Sequence, residues 1–129
     1  MAYDAHDVDD ALQLGLLQIE QLLEINFVQR CIAEANETKS DVPLTRQFIV
    51  HALIETQVSH FLSNTMPMLE TCEGYSSEEI QNQQLRLEMP AEIERQRGEL
   101  EAFLFANVYR HPRLVTVREQ ASTRLQQLF

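Results

Sequence analysis

The chain has 129 residues, a mass of 15.0 kDa and a formal net charge of −10 at pH 7. A chain of this size buries about two thirds of its unfolded surface, which is enough for one hydrophobic core. The acidic balance argues against duplex nucleic acid as a partner, because binding a duplex needs an extended basic face. Its apolar runs are much shorter than the roughly 18 residues that span a bilayer. We therefore expect no membrane contact and a cytoplasmic location.

Helices are the only regular elements that the sequence predicts. Three glycines, four prolines and no alternating Val/Ile/Thr runs leave little material for strands. The first helix is expected over about 3–14, with Gly15 as its C-cap. A second is expected over about 18–36, followed by a polar connection over 36–42. Apolar residues three and four apart give this second helix one stripe: Ile19, Leu22, Leu23, Phe27, Cys31 and Ile32.

A long third helix is expected over about 44–69, where Pro67 should bend or end it. Its apolar positions are Phe48, Ile49, Ala52, Leu53, Phe61, Leu62 and Met68. The stretch 70–75, which contains Gly74, is expected to be a loop.

The last third of the chain predicts three more helices. Ser76 and Glu79 form a capping-box pattern that opens a short helix reaching about Arg86. Pro90 suits the first turn of the next helix, which carries Ile93, Leu100, Phe103, Leu104 and Val108. His111-Pro112 breaks that helix, and a final one presents Leu114, Val117, Ala121, Leu125 and Leu128. The predicted fold class is therefore all-α, with five to six helices in an irregular bundle.

Charge is unevenly distributed along the chain. Residues 1–41 hold nine acidic side chains against Arg30 and Lys39, whereas 110–124 hold four arginines against Glu119. The only two cysteines, Cys31 and Cys72, have neither CxxC nor His spacing. Such a pair is typical of reduced thiols in a cytosolic protein, and a Cys31–Cys72 disulfide is the alternative.

Tyr3 and Asp7 are the first candidate site residues. Four residues apart on a helix, they share one face and present a phenol ring beside a carboxylate. Acidic residues in a first helical turn are also favoured by the helix dipole whatever the protein does. Taken alone, the pair is therefore more typical of a helix start than of a binding site.

The two ends of the chain resemble the HD-superfamily deoxynucleoside triphosphate triphosphohydrolases, the dGTPase-like enzymes. The C-terminal run FLFANVYRHPR gives the more specific match, through Phe103, Phe105, Asn107, Tyr109, Arg110, His111, Pro112 and Arg113. The N-terminal run AYDAHDVDDALQLGLL matches a family helix in which a metal-binding Asp is followed after four residues by Tyr and after four more by Asp. Tyr3 and Asp7 match the last two of these residues.

This resemblance implies a fold, a site and a reaction. Residues 1–129 would form a single helical domain, with 1–17 as the end of an HD-type helix and 18–129 as the C-terminal phosphohydrolase-associated region. The Tyr3 ring would pack on a deoxyribose, and Asp7 would accept a hydrogen bond from the sugar 3′-hydroxyl. The family releases tripolyphosphate from deoxynucleoside triphosphates, using a divalent metal such as Mg²⁺ or Mn²⁺. Its enzymes are oligomers, so a homo-oligomer is expected.

The family's metal ligands would all lie upstream of Met1. The resemblance therefore implies a chain without a metal site, without catalytic residues and inactive alone. His51, Glu55 and His60 do not offer a substitute, because the second histidine is rotated away from the spacing that zinc helices use. Tyr109, Arg110 and His111 flank a helix break, where a structural role is favoured over phosphate binding.

Two functions remain open at this point. The chain is either the C-terminal helical part of a triphosphohydrolase or a free-standing helical module that binds a partner or an intact homologue. Six amphipathic helices, in a chain that by this resemblance lacks a large upstream domain, also predict that at least one apolar stripe has no intramolecular partner.

Overall fold

A computed structural model describes residues 3–38, 42–82 and 87–129, and all regular structure within these ranges is helical. The all-α class predicted from the sequence is thereby confirmed. The described ranges contain seven α-helices and one π-helical segment: α1 (Tyr3–Gln13), α2 (Ile19–Leu22), α3 (Asn26–Thr38), α4 (Arg46–Glu70), α5 (Ser77–Asn82), α6 (Ala91–Leu104), the π segment (Phe105–Tyr109) and α7 (Pro112–Leu128). None of these helices is long and apolar enough to cross a membrane.

Four of the helices build the core. Helix α3 packs against α4 and α6, and α1 packs against the same two helices. The largest apolar side chains that they bury completely, together with one from α2, are Leu22, Phe27, Ile49, Leu53, Ile93, Leu100 and Leu104. Since α1 contributes Ala5, Val8 and Ala11 to this core, its opposite face is left for other contacts.

Helix α1 ends as the sequence predicts. Gly15 has a φ of 71°, a left-handed conformation that glycine adopts without strain. The backbone amide of Leu16 bonds the carbonyl of Ala11 at 2.9 Å, which closes the helix end.

The prediction of one continuous helix over 18–36 was wrong. The chain turns between α2 and α3, where the Gln29 side chain donates a 2.7 Å hydrogen bond to the Leu23 carbonyl. This turn lets Leu22, Ile25 and Phe27 all enter the core, which one straight helix could not achieve because their positions diverge around its axis. Helix α3 also runs to Thr38, so part of the predicted connection is helical. Residues 39–41 lie outside the described ranges.

Helix α4 begins at Arg46, two residues later than predicted. The Thr45 side chain caps it by accepting from the Phe48 amide at 3.2 Å. Pro67 does not end the helix, which continues to Glu70. Proline removes the bond to the Ser63 carbonyl, but both residues are exposed, so solvent can satisfy that oxygen.

The buried face of α4 differs from the predicted stripe beyond its second turn. Leu62 is 49% exposed, whereas the polar residues Thr56, Gln57 and Thr65 are buried. Helices α1 and α3 both pack against α4, so burial along α4 does not follow its own hydrophobic pattern alone.

The short helix α5 has the predicted capping box. The Glu79 amide donates to the Ser76 hydroxyl at 3.2 Å, and the Ser76 amide donates to the Glu79 carboxylate at 2.9 Å. The preceding loop turns at Gly74, whose φ is 87°. Helix α5 ends at Asn82, and the predicted end at Arg86 lies outside the described residues.

The helix expected from Pro90 to Val108 is α-helical up to Leu104 and π-helical from there on. Helix α6 passes into the π segment at Phe105, and His111 then caps α7 at Pro112. Leu100, Leu104 and Val108 are all buried. Side chains spaced by four drift about 40° per step around an ideal α-helix. The wider π turn reduces this drift and keeps Val108 on the core side.

Helix α7 buries none of its residues. Leu114, the first residue of its predicted apolar stripe, packs against the core. The later positions of the stripe face outward, with exposed fractions of 58% for Val117, 57% for Leu125 and 78% for Leu128. Among the described residues, this later part of the α7 stripe has no apolar cover.

Candidate functional site: a polar cleft at the start of helix α1

Tyr3 and Asp7 lie on the same side of α1, at the mouth of one cleft. The Tyr3 side chain is 80% exposed and Asp7 is half-buried. The cleft has a volume of about 240 Å³ and is lined by Tyr3, Asp4, Asp7, Arg97, Glu101 and Tyr109. Helices α1 and α6 and the π segment therefore bring together two residues that the sequence selected and four that it did not.

Tyr109 reaches Asp7 from the other end of the chain. Its hydroxyl donates a hydrogen bond to Oδ2 of the Asp7 carboxylate, across 102 residues of sequence. Burial, together with the nearby carboxylate of Asp7, raises the pKa of the Tyr109 phenol to about 12, because both disfavour a second negative charge. Tyr109 is thus a neutral donor at neutral pH.

Arg97 supplies the positive charge of the cleft. Its guanidinium contacts the Asp4 carboxylate at 2.8 Å, Glu94 at 2.5 Å and Glu101 at 3.6 Å. Hydrogen bonds from Glu94 and Asp4 raise the pKa of Arg97 above its usual range. Because Asp4 is buried, this contact also compensates a charge that would otherwise be poorly solvated.

The run 103–113 contacts α1 at two places. Tyr109 bonds Asp7 in the middle of the helix, and the Arg113 side chain donates to the Leu14 carbonyl at 2.9 Å just beyond its end. A cation there also complements the negative end of the helix dipole. Arg118 of α7 donates in turn to the Tyr109 carbonyl, which anchors the residue that holds Asp7. The two matching ends of the sequence are thus in contact with each other.

Arg110 and His111 make local contacts at the helix break, and neither is the carbonyl cap that such a break usually has. The Arg110 guanidinium lies 4.7 Å from the centre of the Phe105 ring. The Nδ1 atom of His111 accepts from the Arg113 amide at 3.3 Å and so caps α7. Tyr109 differs from these two neighbours, because its side chain lines the cleft.

Glu34 and His60 line a second cavity of about 380 Å³ between α3 and α4. His60 Nε2 lies 3.0 and 3.1 Å from the two Glu34 carboxylate oxygens, and Arg30 donates to the same carboxylate at 3.0 Å. Burial raises the pKa of Glu34, but the hydrogen bonds from Arg30 and His60 outweigh it, so the net pKa is lowered. His51 pairs instead with Glu55 at 3.2 Å.

The described residues include no group of three His, Cys, Asp or Glu side chains arranged to hold a metal ion. The divalent metal implied by the resemblance therefore does not fit these residues, and no chemical step through it can be assigned to them. Cys31 and Cys72 are both buried free thiols. Burial raises the pKa of Cys31 to about 12, so this thiol is a poor nucleophile at neutral pH.

Sequence reasoning missed Asp4, Arg97 and Glu101 as cleft residues and assigned Tyr109 to a helix corner. Arg97 carries no local signal, because it sits among the charged pairs of an otherwise ordinary exposed helix face. The density of matching residues around Tyr109 was the one signal that pointed toward the site. The roles of Tyr3 and Asp7 as sugar contacts stay a prediction.

The helical bundle, and the contacts between α1 and the run 103–113, lie in regions that match known proteins. Residues 87–129, which carry Arg97, Tyr109 and Arg113, match the family described as the phosphohydrolase-associated domain. Over its full length the chain aligns with the C-terminal part of proteins named deoxyguanosinetriphosphate triphosphohydrolase-like protein. The resemblance read from the sequence is thereby confirmed.

Three such relatives illustrate the match. The protein from Bordetella pertussis (strain Tohama I) is 28% identical over 131 residues, which cover 100% of this chain and 34% of the relative. The protein from Bradyrhizobium diazoefficiens is 28% identical over 132 residues, 100% of this chain and 33% of the relative. The protein from Nitrosomonas europaea is 27% identical over 131 residues, 100% and 35% respectively. The chain thus spans about a third of the length of these relatives. No solved structure matches it.

Proposed function

We propose that this chain is the C-terminal helical region of a deoxynucleoside triphosphate triphosphohydrolase, which converts a deoxynucleoside triphosphate into deoxynucleoside and tripolyphosphate. In this proposal the cleft at the start of α1 binds the deoxyribose. The observation that carries it is the joint placement of Tyr3 and Asp7 on one cleft wall, fixed by the C-terminal run that matches the same family.

The chemistry of the cleft suits a sugar. The Asp7 carboxylate has two oxygens with about four acceptor positions, and Tyr109 occupies one of them. A sugar 3′-hydroxyl can donate to the carboxylate at another. The exposed Tyr3 ring offers an apolar wall four residues away. Such a wall lowers kcat/KM for a ribonucleotide, which carries an extra hydroxyl, by only about a hundredfold. In this proposal the cleft selects the sugar and takes no part in the chemical step.

Hydrolysis itself is assigned to residues outside this chain. A metal-activated water, with its pKa lowered by the ion, would supply the nucleophile in the whole enzyme. The proposal therefore includes that this chain does not hydrolyse nucleotides by itself. Purified chain, incubated with Mn²⁺ or Mg²⁺ and each of the four deoxynucleoside triphosphates, should release no more tripolyphosphate than a protein-free blank. Turnover that scales with protein, with mass spectrometry excluding a longer contaminant, would contradict this.

The sugar contact is tested in the full-length hydrolase that contains this chain. Asp7→Ala removes a hydrogen bond to a charged acceptor, worth about 1.5–3 kcal/mol or roughly ten- to hundredfold in kcat/KM. Tyr3→Ala should narrow the gap between deoxyribo- and ribonucleotides. Tyr75→Phe is the matched control, because Tyr75 lies in the loop after α4 and does not line the cleft. Wild-type kinetics and sugar preference in both cleft variants would show that the assignment is wrong.

A second candidate is a free-standing helical module that would bind a partner through the exposed stripe of α7. We infer that its partner is a second copy of the chain, because the basic segment 110–124 complements the acidic segment 1–41. The codons upstream of Met1 discriminate the two candidates. An open frame that encodes an HD segment supports the hydrolase, whereas a stop codon and a ribosome-binding site support the module.

A further inference from the structure

The Asp7 carboxylate needs a second contact if it is to present one oxygen to a sugar. The terminal torsion of an aspartate is broad, so an isolated carboxylate on a helix surface samples many orientations. Its neighbour Asp4 is held at 2.8 Å by Arg97, whose charge is shared with two glutamates. Within the described ranges, Asp7 is held from elsewhere in the fold by a hydrogen bond from the Tyr109 hydroxyl.

Tyr109 is well placed to hold that carboxylate. It ends a π-helical segment, a type of helix distortion that is frequent at functional sites. The preceding residue, Val108, is buried in the core, and Arg118 binds the Tyr109 carbonyl oxygen. The backbone that carries the phenol is therefore fixed on both sides, and its hydroxyl meets Oδ2 of Asp7 inside the cleft.

We propose that Tyr109 is a positioning residue for substrate selection: its hydroxyl holds Oδ2 of Asp7, so that the carboxylate accepts a hydrogen bond from the 3′-hydroxyl of a deoxynucleoside triphosphate. Tyr109 acts through Asp7 and does not touch the reacting phosphate. The inference rests on the proposed function, which it deepens by naming the residue that orients the sugar contact.

A purely structural Tyr109 would tie the π segment to α1 and nothing more. Its loss would then weaken the turnover of every nucleotide alike. A positioning Tyr109 has a different signature, because only substrates with a 3′-hydroxyl use the oriented carboxylate. The decisive quantity is the ratio of kcat/KM for a deoxynucleoside triphosphate to kcat/KM for the matching 2′,3′-dideoxynucleoside triphosphate.

The experiment measures this ratio in the full-length hydrolase for wild type, Tyr109→Phe, Asp7→Ala and Tyr109→Phe/Asp7→Ala. Tyr109→Phe should lower the ratio about two- to tenfold, the range expected for one hydrogen bond, and leave the dideoxy substrate within about twofold of wild type. In the Asp7→Ala background the same substitution should have no further effect on the ratio. Tyr75→Phe should leave both substrates unchanged.

Each outcome decides between the alternatives. If Tyr109→Phe lowers kcat/KM equally for both substrates, or leaves the ratio unchanged or raised, the positioning role is overturned while the proposed function stands. If the wild-type full-length protein hydrolyses no deoxynucleoside triphosphate, the proposed function fails and the inference fails with it. Should Tyr109→Phe not fold, Tyr109→His keeps a ring N–H donor and is expected to give a ratio between those of wild type and Asp7→Ala.

Discussion

Arg97 of α6 and Asp4 of α1 form an ion pair of 2.8 Å in which the side chains are only 22% and 10% exposed. The pair joins the helix that carries Tyr3 and Asp7 to the phosphohydrolase-associated region, 93 residues away in sequence. Its energetic role follows from burial. A buried charge that loses its partner is strongly destabilising, whereas replacing both partners by apolar residues is often neutral.

This relationship predicts a non-additive pair of substitutions. Arg97→Met should lower the free energy of unfolding by about 3 kcal/mol, because it leaves the Asp4 carboxylate buried without its cation. The double variant Asp4→Leu/Arg97→Met should regain most of that loss. Urea unfolding followed by circular dichroism measures both quantities. Equal losses in the single and double variants would show that loss of the ion pair, and not the uncompensated charge of the buried Asp4, accounts for the effect.

The raised pKa of Tyr109 predicts that the folded protein loses stability at alkaline pH. Burial and Asp7 raise the pKa of Tyr109 to about 12 from 10.0. The folded state therefore holds this proton more tightly than the unfolded state does. The resulting stability is fully present below about pH 10 and is lost as the pH rises toward about 12. Tyrosinate absorbance should contain a component near pH 12 that is missing in Tyr109→Phe and shifts to lower pH in Asp7→Asn. An unchanged curve in Tyr109→Phe would contradict the Tyr109–Asp7 contact.

Gln57 predicts a stabilising substitution. Its side chain is fully buried in α4, and neither its amide nitrogen nor its oxygen has a hydrogen-bond partner among the described residues. Burying an unpaired amide costs about 1–3 kcal/mol on mutational scales. Gln57→Met, which keeps the length of the side chain, should therefore raise the midpoint of urea unfolding. The matched control is the exposed Gln13→Met, which should have little effect. A lower midpoint in Gln57→Met would indicate that the amide is paired in solution.

The exposed stripe of α7 predicts self-association. Val117, Leu125 and Leu128 form one outward apolar face, and a two-fold pair of chains is the commonest way to cover such a face. Light scattering at micromolar concentration should report a dimer or a larger species. Leu125→Glu should shift the chain toward monomer, whereas Thr123→Glu on the opposite side of α7 should not. A monodisperse wild-type monomer that binds no hydrophobic dye would show that the stripe does not drive association.

Features that depend on residues within a few positions of one another could be read from the amino-acid pattern alone. Gly15 ends α1, the Ser76–Glu79 capping box starts α5, and His111-Pro112 separates two helices, as local backbone preferences require. The shared face of Tyr3 and Asp7 follows from helical periodicity. Local patterns also indicated the resemblance to the phosphohydrolase-associated domain, because the matching runs are short and dense.

Which helix faces meet depends on how the helices pack together. Helical periodicity predicts the apolar side of each helix but does not predict which other helix covers that side. For this reason the break between α2 and α3, the burial of Gln57 and the exposure of the α7 stripe were not predictable from their own segments. The cleft has the same origin: Asp7 meets Tyr109 across 102 residues and Asp4 meets Arg97 across 93. Such contacts are set by the packing of α1, α6 and the π segment around a common core, and no pattern within one segment encodes them.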